Sequence, residues 1–285
     1  MSTQSHQRFG FFGTGTFATI VLDTLEESGL APELIITAPD RPAGRGMQLT
    51  PSPVKIWAGE RHIETLTPET LDAAFAQELA ERTLPVCAVV DYGKLIPKAV
   101  LDAPTHGMLN VHPSLLPHHR GPAPIEAQVL ADDPDDVGVS IMLLDETLDH
   151  GPLLGQTQVR PDPWPIPARE LEEALAYEGG ALLSYLLPAW VAGTVKPEPQ
   201  DHHAATYTKL IRKEDAQLDL AHGRARKNYL KVCAYDRNPR AYFFTNGGKR
   251  VIVTDARWED ETLRIMTVLP EGKREMSYDT FLKSR

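Results

Sequence analysis

Cysteine is scarce here: two residues in 285, Cys87 and Cys233, far apart and neither in a CxxC pair. A disulfide framework and a thiolate zinc site are therefore not expected, and both thiols read as ordinary residues of apolar surroundings. Long apolar runs are missing as well. No stretch approaches the roughly 20 residues of a membrane span. The opening MSTQSHQRFG has no basic region leading into an apolar one, so a soluble, cytoplasmic, membrane-free chain is expected. Nor is there an excess of basic charge. The formal net charge of −10 by itself argues against a nucleic-acid partner. Its distribution argues the other way: residues 205–285 carry 17 Lys and Arg against 11 Asp and Glu, whereas residues 1–204 carry 12 against 28. A basic terminal segment on an acidic chain is either a solvated face or a phosphate-binding one.

What is present is an alternation of apolar runs and helical patterns. RFGFFGTGTFATIVLDTLEESG reads as strand, glycine turn and amphipathic helix, the helix starting near Thr16 and stopping at Gly29. ELIIT, RTLPVCAVV, GMLNVH and VGVSIMLL are further apolar runs, separated by patterns such as ETLDAAFAQELAER. Near-continuous apolar strands alternating with helices predict an α/β fold with a mostly parallel sheet covered on both faces. A long helical pattern runs from Ala168 to Trp190, and AGTVKPEPQDHHAAT after it is a proline-containing polar connector. These features predict a domain over residues 1–191, a linker over 192–206 and a second domain over 207–285. The second domain pairs a helix, ARKNYLKVCAY, with the short strands RAYFFTN, RVIVTDARW and TLRIMTVL, which suggests a small β-barrel.

GTGTFA, Gly13 to Ala18, fits the dinucleotide-binding pattern, with Asp40 downstream as a candidate ribose ligand. That carboxylate lies within APDRPAGRGMQLTPSPVK, a long proline- and arginine-rich loop, rather than at the end of a strand. A tight strand-to-helix turn without nicotinamide is the preferred reading. The segment MLNVHPSLLPHHRGPAPIEAQ holds three histidines, and its prolines break any helix. His112, His118 and His119 lack HxH or HxxxH spacing, so no metal is expected. If GMLNVH is a strand, Asn110 and His112 share one face. VSIMLLDETLDHGPLLG then places Asp145 and Asp149 just beyond another buried strand, and Asp149 could meet the first pair in a crevice at the carboxyl ends of the sheet. An uncharged amide donor, an imidazole and a carboxylate suit direct attack of an amine on a carbonyl with oxyanion stabilisation. No activated serine or cysteine points to a covalent intermediate.

At these residues the sequence resembles the methionyl-tRNA formyltransferase family. The likeness extends over FFGTGTFA, PDRPAGRG…TPSPVK, VVDYGKLIPKAVLD, LNVHPSLLPHHRGPAPI, GVSIMLLDETLDHGPLL, ATYTKLIRKED and PEGKREMSYDTFLKSR. It implies a Rossmann-like catalytic domain that takes 10-formyltetrahydrofolate without a metal, followed by an OB-like C-terminal barrel that contacts tRNA. It implies Asn110, His112 and Asp149 as the catalytic set, and Ser114, Leu115, Leu116 and Pro117 as a folate-contacting segment. Tyr92, Gly93 and Asp145 fall on loops expected to line the pterin pocket. Arg41 and Arg45 fall in the loop expected at the acceptor stem. Arg224, Arg226, Lys227, Lys231 and Arg237 are the tRNA-backbone candidates in the terminal segment. The implied reaction is formyl transfer to the α-amine of methionyl-initiator tRNA by a monomer. A sugar-nucleotide N-formyltransferase, or a non-catalytic tRNA- or folate-binding protein, are the alternatives. The chain departs from the family pattern at Pro152, where D-x-G-D is usual, at Leu220, where an aromatic is usual, and in a C-terminal domain short of strands between RVIVTDARWEDE and TLRIMTVL.

Overall fold

The computed structural model describes residues 7–43 and 47–284, which divide into two compact units. The first unit takes residues up to Arg120, Gly138–Val159 and Glu173–Thr206; the second takes Gly121–Val137, Arg160–Glu172 and residues from Tyr207 onward. Both are discontinuous in sequence. The connector up to Thr206 falls inside the first unit.

The first unit is built on a seven-stranded sheet. Its opening strand β1 (Gly10–Gly13) is wholly buried and leads into α1 (Thr16–Glu27), whose Phe17, Ala18, Val21, Leu22 and Leu25 form one buried face at helical spacing. Gly29, at φ +79, ends that helix in a left-handed turn. Then come β2 (Leu34–Ile36) and a small antiparallel hairpin, β3 (Arg41–Ala43) with β4 (Gln48–Thr50), inside the segment read as loop. Helix α2 (Pro53–Glu60) starts at Ser52, whose hydroxyl accepts from the Lys55 amide at 3.0 Å with proline in the first turn. After β5 (Glu64–Leu66), α3 (Ala73–Glu81) is capped in the same way by Asp72. Next are β6 (Cys87–Val90), α4 (Lys98–Leu101), β7 (Met108–His112), the second unit's α5 (Pro124–Ala131), β8 (Gly138–Leu143) and β9 (Leu153–Gln158). The long α6 (Ala168–Val191) follows.

The strand order is β5-β2-β1-β6-β7-β8-β9. The first five strands are parallel, and β8 and β9 are antiparallel to their neighbours. The mostly parallel α/β sheet is as the apolar runs predict, but β8 reverses. Leu143, at its carboxyl end, pairs with Leu109 near the start of β7, and Ser140 pairs with His112. Phe12, Leu79, Val89, Tyr92 and Val100 belong to one buried cluster on this sheet. Phe12 and Tyr92 meet edge to face at 5.2 Å, worth about 0.5–1.5 kcal/mol beyond their burial. Cys87, buried and free, has its thiol pushed up to about 12 by burial; Cys233 in the second unit is likewise buried and pushed up to about 11. Neither is a ready nucleophile.

The second unit packs α7 (Ala225–Ala234) with a sheet in the order β10 (Tyr242–Phe244), β11 (Arg250–Glu259), β12 (Thr262–Pro270) and β13 (Met276–Ser277), closed by α8 (Tyr278–Lys283). Every pairing is antiparallel, and among the described residues β10 and β13 do not pair with each other. The shortness seen in the sequence is resolved here. β11 and β12 are joined directly through Asp260 and Glu261, both at positive φ, as a two-residue hairpin turn requires. Among the described residues no helix is long and apolar enough to cross a membrane.

The glycines of GTGTFA have a steric explanation. A Cβ on Gly13 would lie 2.9 Å from the Val90 carbonyl oxygen and 2.9 Å from the Ala18 Cβ, and one on Gly15 would lie 2.0 Å from Asp91 Oδ2. Gly13→Ala is therefore expected to destabilise the protein by about 1–3 kcal/mol, because backbone must move. Gly15→Ala should cost less, since only the tip of one carboxylate must swing aside. Urea unfolding midpoints of the two variants, compared with the parent, check the ranking.

Candidate functional site

Strand β7 ends in two of the expected site residues, Asn110 and His112. Its residues alternate, so Leu109 and Val111 face one way and Asn110 and His112 the other. Asn110 is half-buried, and among the described residues its amide makes no hydrogen bond; His112 is buried. One nitrogen of the His112 ring is hydrogen-bonded and the other faces a carboxylate. Nε2 lies 3.2 Å from the His119 carbonyl oxygen, which can only accept, so this nitrogen carries the hydrogen. Nδ1 faces Asp149 Oδ1 at 3.7 Å, and both side chains are nearly solvent-free. Burial holds the imidazole below its ordinary value, against the pull of Asp149 and the His119 carbonyl, with the Arg120 charge adding to the lowering. The ring is therefore neutral near pH 7 yet faces a carboxylate able to stabilise it when protonated.

Asp149 does not reach His112 by the route the apolar runs suggest. Because β8 is antiparallel, its carboxyl end lies beside the start of β7, and residues 144–152 must carry the chain back. The loop is tightly specified. Asp149 adopts φ +49, and a Cβ on Gly151 would sit 1.9 Å from the Leu143 carbonyl oxygen. Gln200, from the connector, donates its amide to the carbonyls of Asp149 at 3.1 Å and Gly151 at 2.7 Å. Its own oxygen accepts from Arg120 Nε at 3.2 Å and Nη2 at 2.6 Å. Arg120 is 1% exposed, an uncommon environment for a guanidinium.

The remaining expected site residues divide by environment. Ser114 and Leu116 are buried. The Ser114 hydroxyl donates to the His118 carbonyl at 2.7 Å, and its own carbonyl accepts from Ser140 Oγ at 2.6 Å. Ser140 also accepts from the Leu116 amide, and Gln156 donates to the Leu116 carbonyl at 2.8 Å, so β8 and β9 staple this turn from below. Leu115 and Pro117 are half-buried. Tyr92 is buried; among the described residues its hydroxyl has no hydrogen-bond partner, and burial pushes it up to about 12. Gly93 beside it is exposed, at φ +72. Asp145 is engaged by His150, Nδ1 to Oδ2 2.7 Å, and His150 stacks on His202 at 4.0 Å. Arg120, Gln200, His150 and His202 were not singled out from sequence.

Asp40 accepts from Lys55 Nζ at 2.7 Å, and the Asp91 carboxylate lies against Gly15 at the start of α1. That is the place where a dinucleotide turn would receive pyrophosphate. Among the described residues no group of three His, Cys, Asp or Glu could hold a metal ion.

Of the tRNA-backbone candidates, Arg41 is exposed on β3, and Arg45 lies outside the described residues. Of the five candidates in the second unit, Arg226, Arg237 and Lys231 have protein partners. Arg226 grips Asp132 through two hydrogen bonds, 2.6 and 2.8 Å, with its guanidinium 5.1 Å over the Trp258 ring. Arg237 pairs with Glu172, and Lys231 donates to the Gln217 carbonyl at 2.8 Å. Arg224 and Lys227 are exposed.

With this geometry in place, comparison with known proteins is direct. The Formyl transferase family profile matches residues 7–185. A methionyl-tRNA formyltransferase of Chloroflexus aurantiacus is 41% identical over 241 residues, covering 84% of this chain and 77% of the relative. One from Myxococcus xanthus is 35% identical over 302 residues, covering 98% and 95%. The solved methionyl-tRNA formyltransferase of Clostridium thermocellum, at 13% identity, shares the fold with a TM-score of 0.61 over 93% of this chain and 98% of that one. The chain is an enzyme of formyl transfer and belongs to the formyl transferase family, within its methionyl-tRNA formyltransferase branch.

Proposed function

We propose that this enzyme moves a formyl group from 10-formyltetrahydrofolate to the α-amine of methionyl-initiator tRNA, with Asn110, His112 and Asp149 as its catalytic residues. The observation that carries the reading is the buried His112 facing Asp149 at 3.7 Å, beside an Asn110 amide with no hydrogen bond among the described residues. The residues fit the folate donor: among the described residues the Asn110 amide is available for a carbonyl oxygen, and the buried Tyr92 hydroxyl lacks a partner. When bound, that donor supplies the formyl group on a nitrogen. In the transfer a bond forms from the amine nitrogen to the formyl carbon, and the carbon's bond to the donor nitrogen breaks. One proton leaves the amine and one arrives on the departing nitrogen.

Asn110 donates to the formyl oxygen as negative charge gathers there. His112, neutral beforehand, takes up the amine's proton by way of Asp149 and later yields it to the leaving nitrogen. Asp149 stabilises the imidazolium in between, in a setting where water does not screen the pair. Acceptor recognition is assigned to Arg41 and Arg45 at the reactive end and, in the terminal segment, to the exposed Arg224 and Lys227. Arg226, Arg237 and Lys231 would have to leave their present partners to contribute.

His112→Ala and Asn110→Ala are each expected to lower kcat by roughly 10²–10³ with little change in KM. A purified His112→Ala protein of near-normal turnover would remove the catalytic assignment. Charged initiator tRNA, elongator tRNA and an amino-sugar nucleotide offered side by side decide the acceptor; preference for the sugar overturns the tRNA reading.

Acidification should switch turnover off as His112 becomes protonated and can no longer accept. Because Asp149 raises the affinity of His112 for protons, Asp149→Asn should shift that acid limb to lower pH while reducing kcat. A log kcat profile from pH 5 to 8 shows the shift; a limb that stays in place, or moves up, separates Asp149 from His112.

For tRNA, each phosphate contact adds about 0.7–0.9 to the slope of log K against log salt. Arg224→Ala with Lys227→Ala should therefore flatten the slope by more than one unit. Arg226→Ala should instead lower stability, with little effect on the slope. A parent affinity insensitive to salt would sink the proposed backbone contact.

A further inference from the structure

The connector between α6 and the second unit reads as a linker in the sequence, yet its second half is bonded to both flanks of the candidate site. Leu153 and Glu198 exchange two backbone hydrogen bonds of 2.8 Å, which sets residues 198–200 beside the loop that carries Asp149. At the other end, the Thr206 amide donates to the Pro117 carbonyl at 3.2 Å, its carbonyl accepts from the Arg120 amide at 3.0 Å, and its hydroxyl accepts from the His119 amide at 2.8 Å. One short segment thus touches the turn that presents the His119 carbonyl to His112 and the loop that presents Asp149.

Gln200 is the centre of this brace, 5% exposed. A guanidinium has only donors, so the two contacts from Arg120 require the Gln200 oxygen to face it. The NH2 group is thereby turned toward the carbonyls of Asp149 and Gly151. Those two residues bound a tightly constrained stretch, with Asp149 left-handed and Gly151 too close to the Leu143 carbonyl to carry a Cβ. A loop with such a backbone keeps its shape when its surroundings over-determine it. The direction of the amide matters as much as its presence: an acceptor in place of NH2 would face two carbonyl oxygens.

We infer that Arg120 and Gln200 are positioning residues of the formyl-transfer reaction, the buried guanidinium orienting the Gln200 amide so that it holds the Asp149–Gly151 backbone and sets the Asp149 carboxylate opposite His112. This rests on the catalytic reading of Asp149 given above. It adds that the connector is a working part of the site. His202 extends the same device. Its Nδ1 lies 3.0 Å from Arg120 Nη2, so it accepts, which keeps the guanidinium from rotating away.

The test uses the full chain and steady-state formyl transfer. Gln200→Glu keeps an acceptor for Arg120 and loses the donors to both carbonyls; Gln200→Met loses both functions at similar volume. Each is expected to lower kcat by about 10-fold to 10²-fold, the scale of a misplacement near 1 Å, with KM for donor and acceptor held within about threefold. The decisive measurement is made on the Asp149→Asn background. If Gln200 acts through Asp149, either second substitution there should lower kcat by less than about twofold more. Full additivity, or a Gln200→Glu single variant with parental kcat, overturns the inference. An Asp149→Asn enzyme with parental kcat would instead overturn the catalytic reading itself, so the two failures are distinguishable. Should Gln200→Glu fail to fold, Gln200→Met carries the same comparison, and Arg120→Lys, which keeps a charge and a donor but loses the fork, should show the same kcat loss in milder form.

Discussion

A histidine buried against a carboxylate sets the terms for much of the first unit. An imidazole in that position is easily left neutral by desolvation and easily charged by its neighbour, and which of the two prevails depends on fractions of an ångström. The surrounding hydrogen bonds address that sensitivity. Ser140 and Gln156 fasten the turn after β7, the His119 carbonyl fixes one ring nitrogen, and the loop of Asp149 is fastened from the side by Gln200. Buried polar groups are costly unless fully bonded, so a network of this kind tends to be rigid where it is complete.

Much of this was legible in the amino-acid sequence, and the reasons for the misses are specific. The period of two in MLNVH was enough to put Asn110 and His112 on one face, and the glycine turn, α1, α6 and the terminal strands followed from pattern. The orientation of β8 did not. VGVSIMLL is buried on both sides, and a central strand of that kind has the same apolar pattern whether it runs up or down. β7 and β8 are neighbours, but their carboxyl ends lie at opposite edges of the sheet, so the meeting of Asp149 with His112 depends on a returning loop. The three-residue strands β2 and β5 carry little signal by themselves: LII of β2 is apolar and legible, whereas Glu64–Leu66 of β5 is not.

The basic excess of residues 205–285 raises a related point. A count of charges is blind to partners: Arg226, Arg237 and Lys231 contribute to the total while bonded to Asp132, Glu172 and the Gln217 carbonyl. Asp132 and Glu172 come from earlier in the chain but belong to the same compact unit. Arg120 was overlooked for the opposite reason, since nothing in HHRGPAP marks an arginine as buried. Gln200 was overlooked because a polar residue among prolines reads as linker.

The brace also orders events in time. A chain emerging from the ribosome completes the last strand of its large sheet at Gln158 and its long helix at Val191, but the bonds from Gln200 and Thr206 can form only once those residues have been made. Until then the strand that carries Asn110 and His112 can pair with its neighbours while the loop of Asp149 lacks its lateral support. The fold is thus older than the candidate site during synthesis, and that site is completed only by the segment that follows Val191 and ends at Thr206.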